Sequence, residues 1–288
     1  ENSWTTPSLA IARDPGKQLG LWISTDYLPL GVPVELARNI MAMHGKAWPG
    51  YLPGTATGSV SNLEVVLDRN WRLVLARGVA REAGLFDWGT WPDVQGINGE
   101  LDLGRGFGRI SLGASSLQLT WPRMFSAPLS FSFPGCEADL AWEQGWQAAL
   151  QGCRLVNEDL ALGGDVLISG NGGRPAVDAN LLVSRGKLDK LSPYWPQGIM
   201  RERALKWLRA GLLGGDVVSG RVQIHGDMDD WPFRNGKGRF EAVAEITSGE
   251  LDYAPGWPRA KSIDLTARFL GPSMSLDGKI GSLGRAAV

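Results

Sequence analysis

The sequence predicts a mainly β protein built as a long, twisted antiparallel sheet, and three features support this fold class. Segments in which apolar and polar residues alternate recur about every ten residues, as in strands with one apolar and one wet face. The 39 glycines lie scattered between these segments, where turns are expected. A block of motifs also occurs twice, which is typical of proteins built from repeated modules.

The repeated block opens with Tyr-x-Pro and closes with Trp-Pro. Its first copy runs from Tyr27-Leu28-Pro29 to Trp91-Pro92, and its second from Tyr194-Trp195-Pro196 to Trp257-Pro258. We therefore predict a first repeat over residues 1–165 and a second, incomplete repeat over 166–288. Stacked modules form extended surfaces or channels, so the repeat favours a conduit or scaffold over an enzyme.

Two segments interrupt the strand pattern and are predicted to be helices. The first, near 33–43, begins with a proline and carries apolar residues along one side. The second, near 199–213, ends before Gly214-Gly215, as glycine commonly ends helices. Each follows a Tyr-x-Pro, and we expect each to pack across an open face or end of the sheet.

The strands alternate clearly, and their apolar sides are the candidates for a binding surface. Leu63–Arg69 and Trp71–Arg77 form a predicted pair joined at Asn70, and further strands follow to residue 183. The candidate apolar residues are Leu63, Val65, Leu67, Leu73, Leu75, Leu117, Leu119, Leu129, Phe131 and Phe133. From alternation alone, the default use of such residues is to fill an ordinary sandwich core.

The two cysteines bracket a predicted hairpin over residues 136–153. If Gln144-Gly145 forms a two-residue turn, Cys136 lies directly opposite Cys153 in a pair whose side chains come close enough for a disulfide. Such a bond implies an oxidising compartment. The alternative is two small apolar residues packed across the hairpin with both thiols free.

Several function classes find no support in the sequence. Lys and Arg number 29 and Asp and Glu 30, and no basic tract indicates nucleic-acid binding. His44 and His225 do not have metal-ligand spacing, and the glycine-rich segments open no helix that could hold a phosphate. We expect no enzymatic activity, no cofactor and no metal site.

The sequence also contains no apolar run of about 18 residues that could span a membrane, and no signal peptide at its start. Because the chain opens in the middle of a pattern, we interpret it as a segment of a longer protein.

An ordered series of motifs in the second block carries a specific family resemblance. The series resembles that of the bacterial YhdP family, within the larger AsmA-like group, over about residues 190–270 and more weakly in the first block. The motifs are Tyr194-Trp195-Pro196, Leu205-Lys206-Trp207-Leu208, Gly214-Gly215, Ile224-His225-Gly226-Asp227, Trp231-Pro232-Phe233 and Leu251 to Pro258.

The resemblance implies a fold and a function. It implies an envelope protein attached to the inner membrane by a helix outside this segment, with a periplasmic body of repeating β-groove type. In that body, a twisted sheet curls into a groove lined by apolar side chains. The implied role is to move phospholipid, bound through its acyl chains, between the inner and outer membranes, which supports the outer-membrane permeability barrier. The alternative is a structural or assembly module with a filled β core that binds other envelope proteins.

Overall fold

A computed structural model describes residues 8–12, 19–50, 52–87, 89–143, 145–170, 174–254, 256–271, 273–284 and 286–287. Within these residues, fifteen strands form one sheet in which spatial order follows sequence order, and the strand pairs with a defined register are antiparallel. The prediction of a mainly β fold with an antiparallel sheet is confirmed. Long meanders of this kind need only short turns between neighbouring strands.

The chain divides by internal contacts into two compact units. Unit 1 comprises Glu1–Thr120 and Phe133–Trp146, and unit 2 comprises Trp121–Ser132 and Gln147–Val288. This division does not test the predicted repeat boundary at residues 165 and 166, which stays a prediction.

The first half of the chain supplies seven strands and one helix. Their bounds are β1 Leu9–Ala12, β2 Leu19–Pro29, α1 Gly31–Met43, β3 Thr55–Asp68, β4 Leu73–Phe86, β5 Asp93–Gly104, β6 Phe107–Thr120 and β7 Leu129–Ala141.

The second half supplies the remaining eight strands and the second helix. Their bounds are β8 Trp146–Val156, β9 Leu160–Gly170, β10 Ala176–Lys187, α2 Glu202–Gly211, β11 Leu212–Asp227, β12 Arg239–Leu251, β13 Ala260–Leu270, β14 Ser273–Leu283 and β15 Ala286–Ala287. Two short 3-10 helices, Leu188–Lys190 and Ser192–Tyr194, precede α2.

The strands are longer than the sequence pattern predicts, because glycines lie inside them as well as between them. Gly96, with φ 85°, lies within β5 at a shift in register against β6. A Cβ atom there would lie 2.1 Å from the carbonyl oxygen of Ser116, so only glycine lets the two backbones approach this closely.

Both predicted helices are present, and each is inserted between two strands that pair with each other, β2 with β3 and β10 with β11. α2 is shorter than predicted because Leu212, with φ −85° and ψ 101°, already belongs to β11. α2 buries Leu205 and Leu208, whereas α1 has no buried residue.

The described residues include no large side chain that is fully buried. The buried apolar residues of unit 2 lie both in the helical segment and in the strands, and they include Leu160, Leu188, Leu191, Leu205, Leu208, Val217, Ile263 and Ala267. Most other apolar strand residues remain half-buried.

Candidate functional site

In unit 1, the strand register gathers apolar side chains on one face of the sheet. Residues directly opposite each other in antiparallel strands project to the same face. Val65 lies opposite Ile23 on one side and Ala76 on the other, and Ala76 lies opposite Leu103. A neighbouring row runs through Gly78, Leu101 and Ile110. These rows are apolar across consecutive strands, and most of their side chains are half-buried.

The predicted candidates in β3 and β4 belong to this face, with one exception. Leu63 and Leu67 alternate with Val65 on the same side, and Leu73 lies opposite Leu67. Leu75 lies opposite Val66 instead, because the register shifts by one residue between Val66 and Leu67. The prediction that Leu75 shares the face of Val65 is therefore corrected, since a shift of one residue reverses the side-chain direction.

The candidates in β6 form a second apolar row of unit 1. Leu119 lies opposite Val94, which lies opposite Leu85. Leu117, two residues along the same strand, is buried at 9% exposure. The intervening pair of Gln95 and Gln118 is exposed, so the two faces differ in polarity here as well.

The opposite face of unit 1 carries charges of alternating sign from strand to strand. Glu64 lies opposite Arg77, Arg77 opposite Asp102, and Asp102 opposite Arg109. The Arg77 Nε atom lies 3.7 Å from Asp102 Oδ1. The Arg109 Nε atom lies 2.8 Å from Asp139 Oδ1, and this hydrogen bond raises the pKa of Arg109. Exposed pairs add little stability, but they identify the wet side of the sheet.

Unit 2 has the same division into two faces over more strands. Ala179 lies opposite Val166 and Ile224, and Leu181 lies opposite Val222. Further rows on this apolar face continue through β12, β13 and β14. Their members are Phe240, Ala242, Ala244, Ile246, Ile263, Leu265, Ala267, Phe269, Met274, Leu276 and Ile280.

The polar face of unit 2 holds a histidine–aspartate contact and a glutamate between two arginines. The His225 Nδ1 atom lies 3.1 Å from Asp178 Oδ2, and both side chains are largely exposed. Glu241 contacts both Arg239 and Arg268, and only 4% of Glu241 is exposed. The hydrogen bond from Arg239 is the largest cause that lowers the pKa of Glu241 below its ordinary value.

Leu129, Phe131 and Phe133, the three candidates in β7, are buried at 6%, 6% and 8% exposure. In unit 2, the Tyr194 ring covers Phe131 at a centroid distance of 5.9 Å. The Tyr194 hydroxyl accepts a hydrogen bond from Asn157 Nδ2 at 2.7 Å and donates one to Asp159 Oδ2 at 3.3 Å. Burial raises the pKa of Tyr194. Phe131 is thus a packed residue and offers no open surface.

The sequence reasoning missed every residue of the apolar face in unit 2. The signal was present, because Val177, Ala179 and Leu181 alternate with Asp178 and Asn180. That segment was recognised as a strand, but its apolar side was not included among the candidates.

Both cysteines are disulfide-bonded in the structure, and neither remains a free thiol. Cys136 is 5% exposed, and Cys153 is half-buried. Gln144, the first residue of the predicted two-residue turn, lies outside the described residues, whereas Gly145 has φ 95°.

Two other kinds of feature are missing from the described residues. In the part of the chain that the structure describes, no group of three or more His, Cys, Asp or Glu side chains is arranged to hold a metal ion. The helices seen there are too short or too polar to cross a lipid bilayer.

The arrangement as a whole suits nondirectional binding of apolar chains. The rows described above on the two apolar faces consist of apolar side chains and glycine, and they contain no carboxylate, amide or imidazole group. Such a surface can bind an apolar chain in many positions, because hydrophobic contact depends on area and has no preferred direction.

The chain shares sequence similarity with known proteins. A protein-family model described as "YhdP protein" matches residues 2–288. "Intermembrane phospholipid transporter YhdP" of Escherichia coli (strain K12) is 20% identical over 201 residues, which is 66% of this chain and 15% of the E. coli protein. The chain therefore spans a small part of that relative's length, and no solved structure matches significantly. Because the family match covers nearly every residue, the chain belongs to the YhdP family.

Proposed function

We propose that this chain is a segment of a conduit that moves phospholipid between the inner and outer membranes. In this proposal, acyl chains lie on the apolar faces of the two units, and the polar faces contact water. The observation that carries the proposal is that rows of apolar residues continue across consecutive strands on one face of each unit, while charged residues lie on the opposite face. The family assignment and the transporter name of the E. coli relative support a nonenzymatic role.

The energetics of the faces fit a transient lipid ligand. Side chains such as Val65, Leu101 and Val222 remain half-exposed, so apolar area is available for contact with a ligand. Covering that area contributes roughly 25 cal/mol per Å², and each buried methylene of a lipid tail about 0.8 kcal/mol. The free energy of binding would change little as a tail slides from one row to the next.

The proposal extends to shape and location. A right-handed twist is inherent in antiparallel sheets and would help the apolar side curl into a groove. We further propose that the chain lies in the periplasm, that a helix elsewhere in the full protein attaches it to the inner membrane, and that its activity supports the outer-membrane permeability barrier. Other envelope proteins are proposed as further partners.

Site-specific photo-crosslinking in cells tests the conduit. A photoreactive residue replaces Leu101 in unit 1 or Val222 in unit 2 of the full-length protein. The controls are the neighbouring positions Asp102 and Arg221, which project to the opposite face. We expect phospholipid adducts from Leu101 and Val222 and none from Asp102 or Arg221, as measured by mass spectrometry of the purified protein.

Two other outcomes would contradict the conduit. Equal lipid capture on both faces would indicate nonspecific contact with membranes. Capture of protein alone from Leu101 and Val222 would instead support a structural or assembly module of the envelope whose apolar faces are filled by protein.

A further inference from the structure

Unit 2 contains an open cavity of about 350 Å³ beside helix α2. It lies between the segment that follows β6 and the turn that precedes the helix. Arg123 comes from the first segment, and Gly198 and Met200 come from the turn. Four residues of α2 complete the lining, namely Glu202, Leu205, Lys206 and Arg209, together with Gln197 from the turn.

The lining of the cavity carries an excess of positive charge. Arg123, Lys206 and Arg209 are cationic, and Glu202 is the one acidic residue of the lining. Lys206 Nζ lies 2.7 Å from Glu202 Oε1, so this pair neutralises itself. Within the residues that the structure describes, the guanidinium groups of Arg123 and Arg209 form no salt bridge. Two arginines therefore face an open cavity with their charges uncompensated.

The backbone holds Arg123 at the cavity. The amide nitrogens of Met124 and Phe125 both donate to the carbonyl oxygen of Trp121, at 2.8 and 2.9 Å, which fixes a tight turn around Arg123. A Cβ atom on Gly198 would lie 2.0 Å from the Arg123 carbonyl oxygen. The two segments are thus packed backbone to backbone, and the position of Arg123 does not depend on its own side chain.

The chemistry of the cavity matches a phosphate group that has an apolar neighbour. Arginine presents a planar fork of donors that binds phosphate oxygens in pairs, and such charge-assisted bonds are stronger than neutral ones. Met200 and Leu205 line the same cavity and offer apolar contact next to the two guanidinium groups. A free phosphate ion would contact only the arginines, whereas a lipid phosphate diester would contact both the arginines and the apolar residues Met200 and Leu205.

We propose that this cavity binds the phosphate group of a phospholipid headgroup through Arg123 and Arg209. The proposal rests on the conduit function proposed above, and it adds a polar contact point beside a surface that otherwise binds only tails. A phospholipid and free inorganic phosphate both carry the phosphate group that the arginines would bind. The test must therefore separate these two ligands.

The test measures binding of two probes by the purified protein. The probes are dihexanoylphosphatidylglycerol below its micelle-forming concentration and inorganic phosphate. The R123Q/R209Q variant removes both guanidinium groups from the cavity. The matched control, R154Q/R221Q, removes two exposed arginines of unit 2 that lie on strands away from the cavity. Thermal unfolding verifies that both variants fold.

We expect R123Q/R209Q to bind the lipid probe at least about tenfold more weakly than the control does, which corresponds to about 1.4 kcal/mol. We also expect the unsubstituted protein to bind the lipid probe at least about tenfold more tightly than inorganic phosphate. Equal affinity for the two probes would overturn the lipid headgroup as the source. Equal lipid affinity in the two variants would overturn the cavity as the site.

Photo-crosslinking from Val222 in the same variants separates this proposal from the conduit. Lipid capture at Val222 with no effect of R123Q/R209Q on probe binding would reject the headgroup site and leave the conduit intact. If the protein with a photoreactive residue at Val222 and both arginines intact captures no lipid, while probe binding still depends on Arg123 and Arg209, the conduit is rejected and a phosphate site remains.

The G198A variant supplies a second test that changes no charge. The added methyl group must displace the backbone of Arg123, because 2.0 Å is too short for a contact with its carbonyl oxygen. We expect weaker binding of the lipid probe, as in R123Q/R209Q. Binding unchanged by G198A in a folded protein would contradict the placement of Arg123 at the site.

Discussion

An Nη2 atom of Arg268 lies 2.6 Å from Oε1 of Glu241 on the polar face of unit 2. Arg239, two residues before Glu241 on the same strand, hydrogen-bonds the other carboxylate oxygen. Only 4% of Glu241 is exposed, so the carboxylate is held between two guanidinium groups with little access to water. Hydrogen bonds from Arg239 and then Arg268 hold the pKa of Glu241 below its ordinary value of 4.5.

We expect this carboxylate to make the stability of the protein sensitive to acid. Because the pKa of Glu241 is lower in the folded state, the unfolded state binds more protons at acid pH. The stabilisation is complete above the ordinary value of 4.5 and is lost as the pH falls through the lower pKa of the folded state. We expect E241Q to lower the unfolding temperature at pH 7 and to flatten its decline in acid.

Thermal unfolding between neutral and acid pH measures this difference. The control is E245Q, which removes an exposed carboxylate from the same strand. The control should keep the acid sensitivity of the unsubstituted protein. Parallel pH curves for E241Q and the unsubstituted protein would show that Glu241 does not contribute.

Tyr194 stabilises unit 2 through its ring and its hydroxyl group. Y194F removes the bonds to Asn157 and Asp159 and should lower the free energy of unfolding by roughly 1 kcal/mol. Y194A also uncovers Phe131 and should lower it by at least about 2 kcal/mol. Urea unfolding measures both. Y253F, at an exposed tyrosine, should stay within about 0.5 kcal/mol of the unsubstituted protein. Equal values for Y194F and Y194A would exclude a role for ring packing.

The cysteine pair should contribute measurably to stability. Closing a loop of this length restricts the unfolded chain and is worth roughly 3 kcal/mol in the chain-entropy model. We expect C136S/C153S to lose about that much unfolding free energy, and we expect reductant to lower the unsubstituted protein to the same level. Urea unfolding with and without reductant measures this. A protein whose stability does not respond to reductant would contradict the prediction.

Alternation in the sequence indicates the direction of a side chain where a strand is regular. Leu63, Val65 and Leu67 share a face because alternation in an extended chain determines the side of every second residue. The prediction from alternation failed at Leu75, because the register shift beside Val66 depends on how two strands pair. The extra residue, Val74, lies in β4 itself, but it is apolar like its neighbours, so periodicity gave no sign of the bulge.

Long-range contacts explain the other differences between the sequence prediction and the structure. Phe131 alternates like a surface residue of a sheet, but Tyr194, from a distant 3-10 helix, covers it. Arg123 and Arg209 line one cavity, where the turn at Gly198 packs against the backbone of Arg123. Neither contact has a local signature in the sequence, whereas both helices were predicted because amphipathic spacing and glycine stops are local.

A charge placed on the apolar face of unit 2 should block lipid binding, whereas the same charge one residue away should not. Leu265 lies opposite Ile246 and Gly278 on the apolar face, so L265K would put an ammonium group among aliphatic side chains. Thr266 lies opposite Glu245 and Asp277 on the polar face, where T266K would gain two acidic neighbours.

We therefore expect L265K to lower the unfolding free energy by roughly 1–3 kcal/mol, because neither residue opposite it, Ile246 or Gly278, is acidic. In cells, we expect L265K to lose most of the phospholipid captured by a photoreactive residue at Val222, because a charge in the path of an acyl chain must be desolvated. T266K should retain both stability and capture, since its charge stays in water beside two carboxylates. Mass spectrometry of the adducts and thermal unfolding measure the two effects, and equal capture by L265K and T266K would show that tails do not pass along this face.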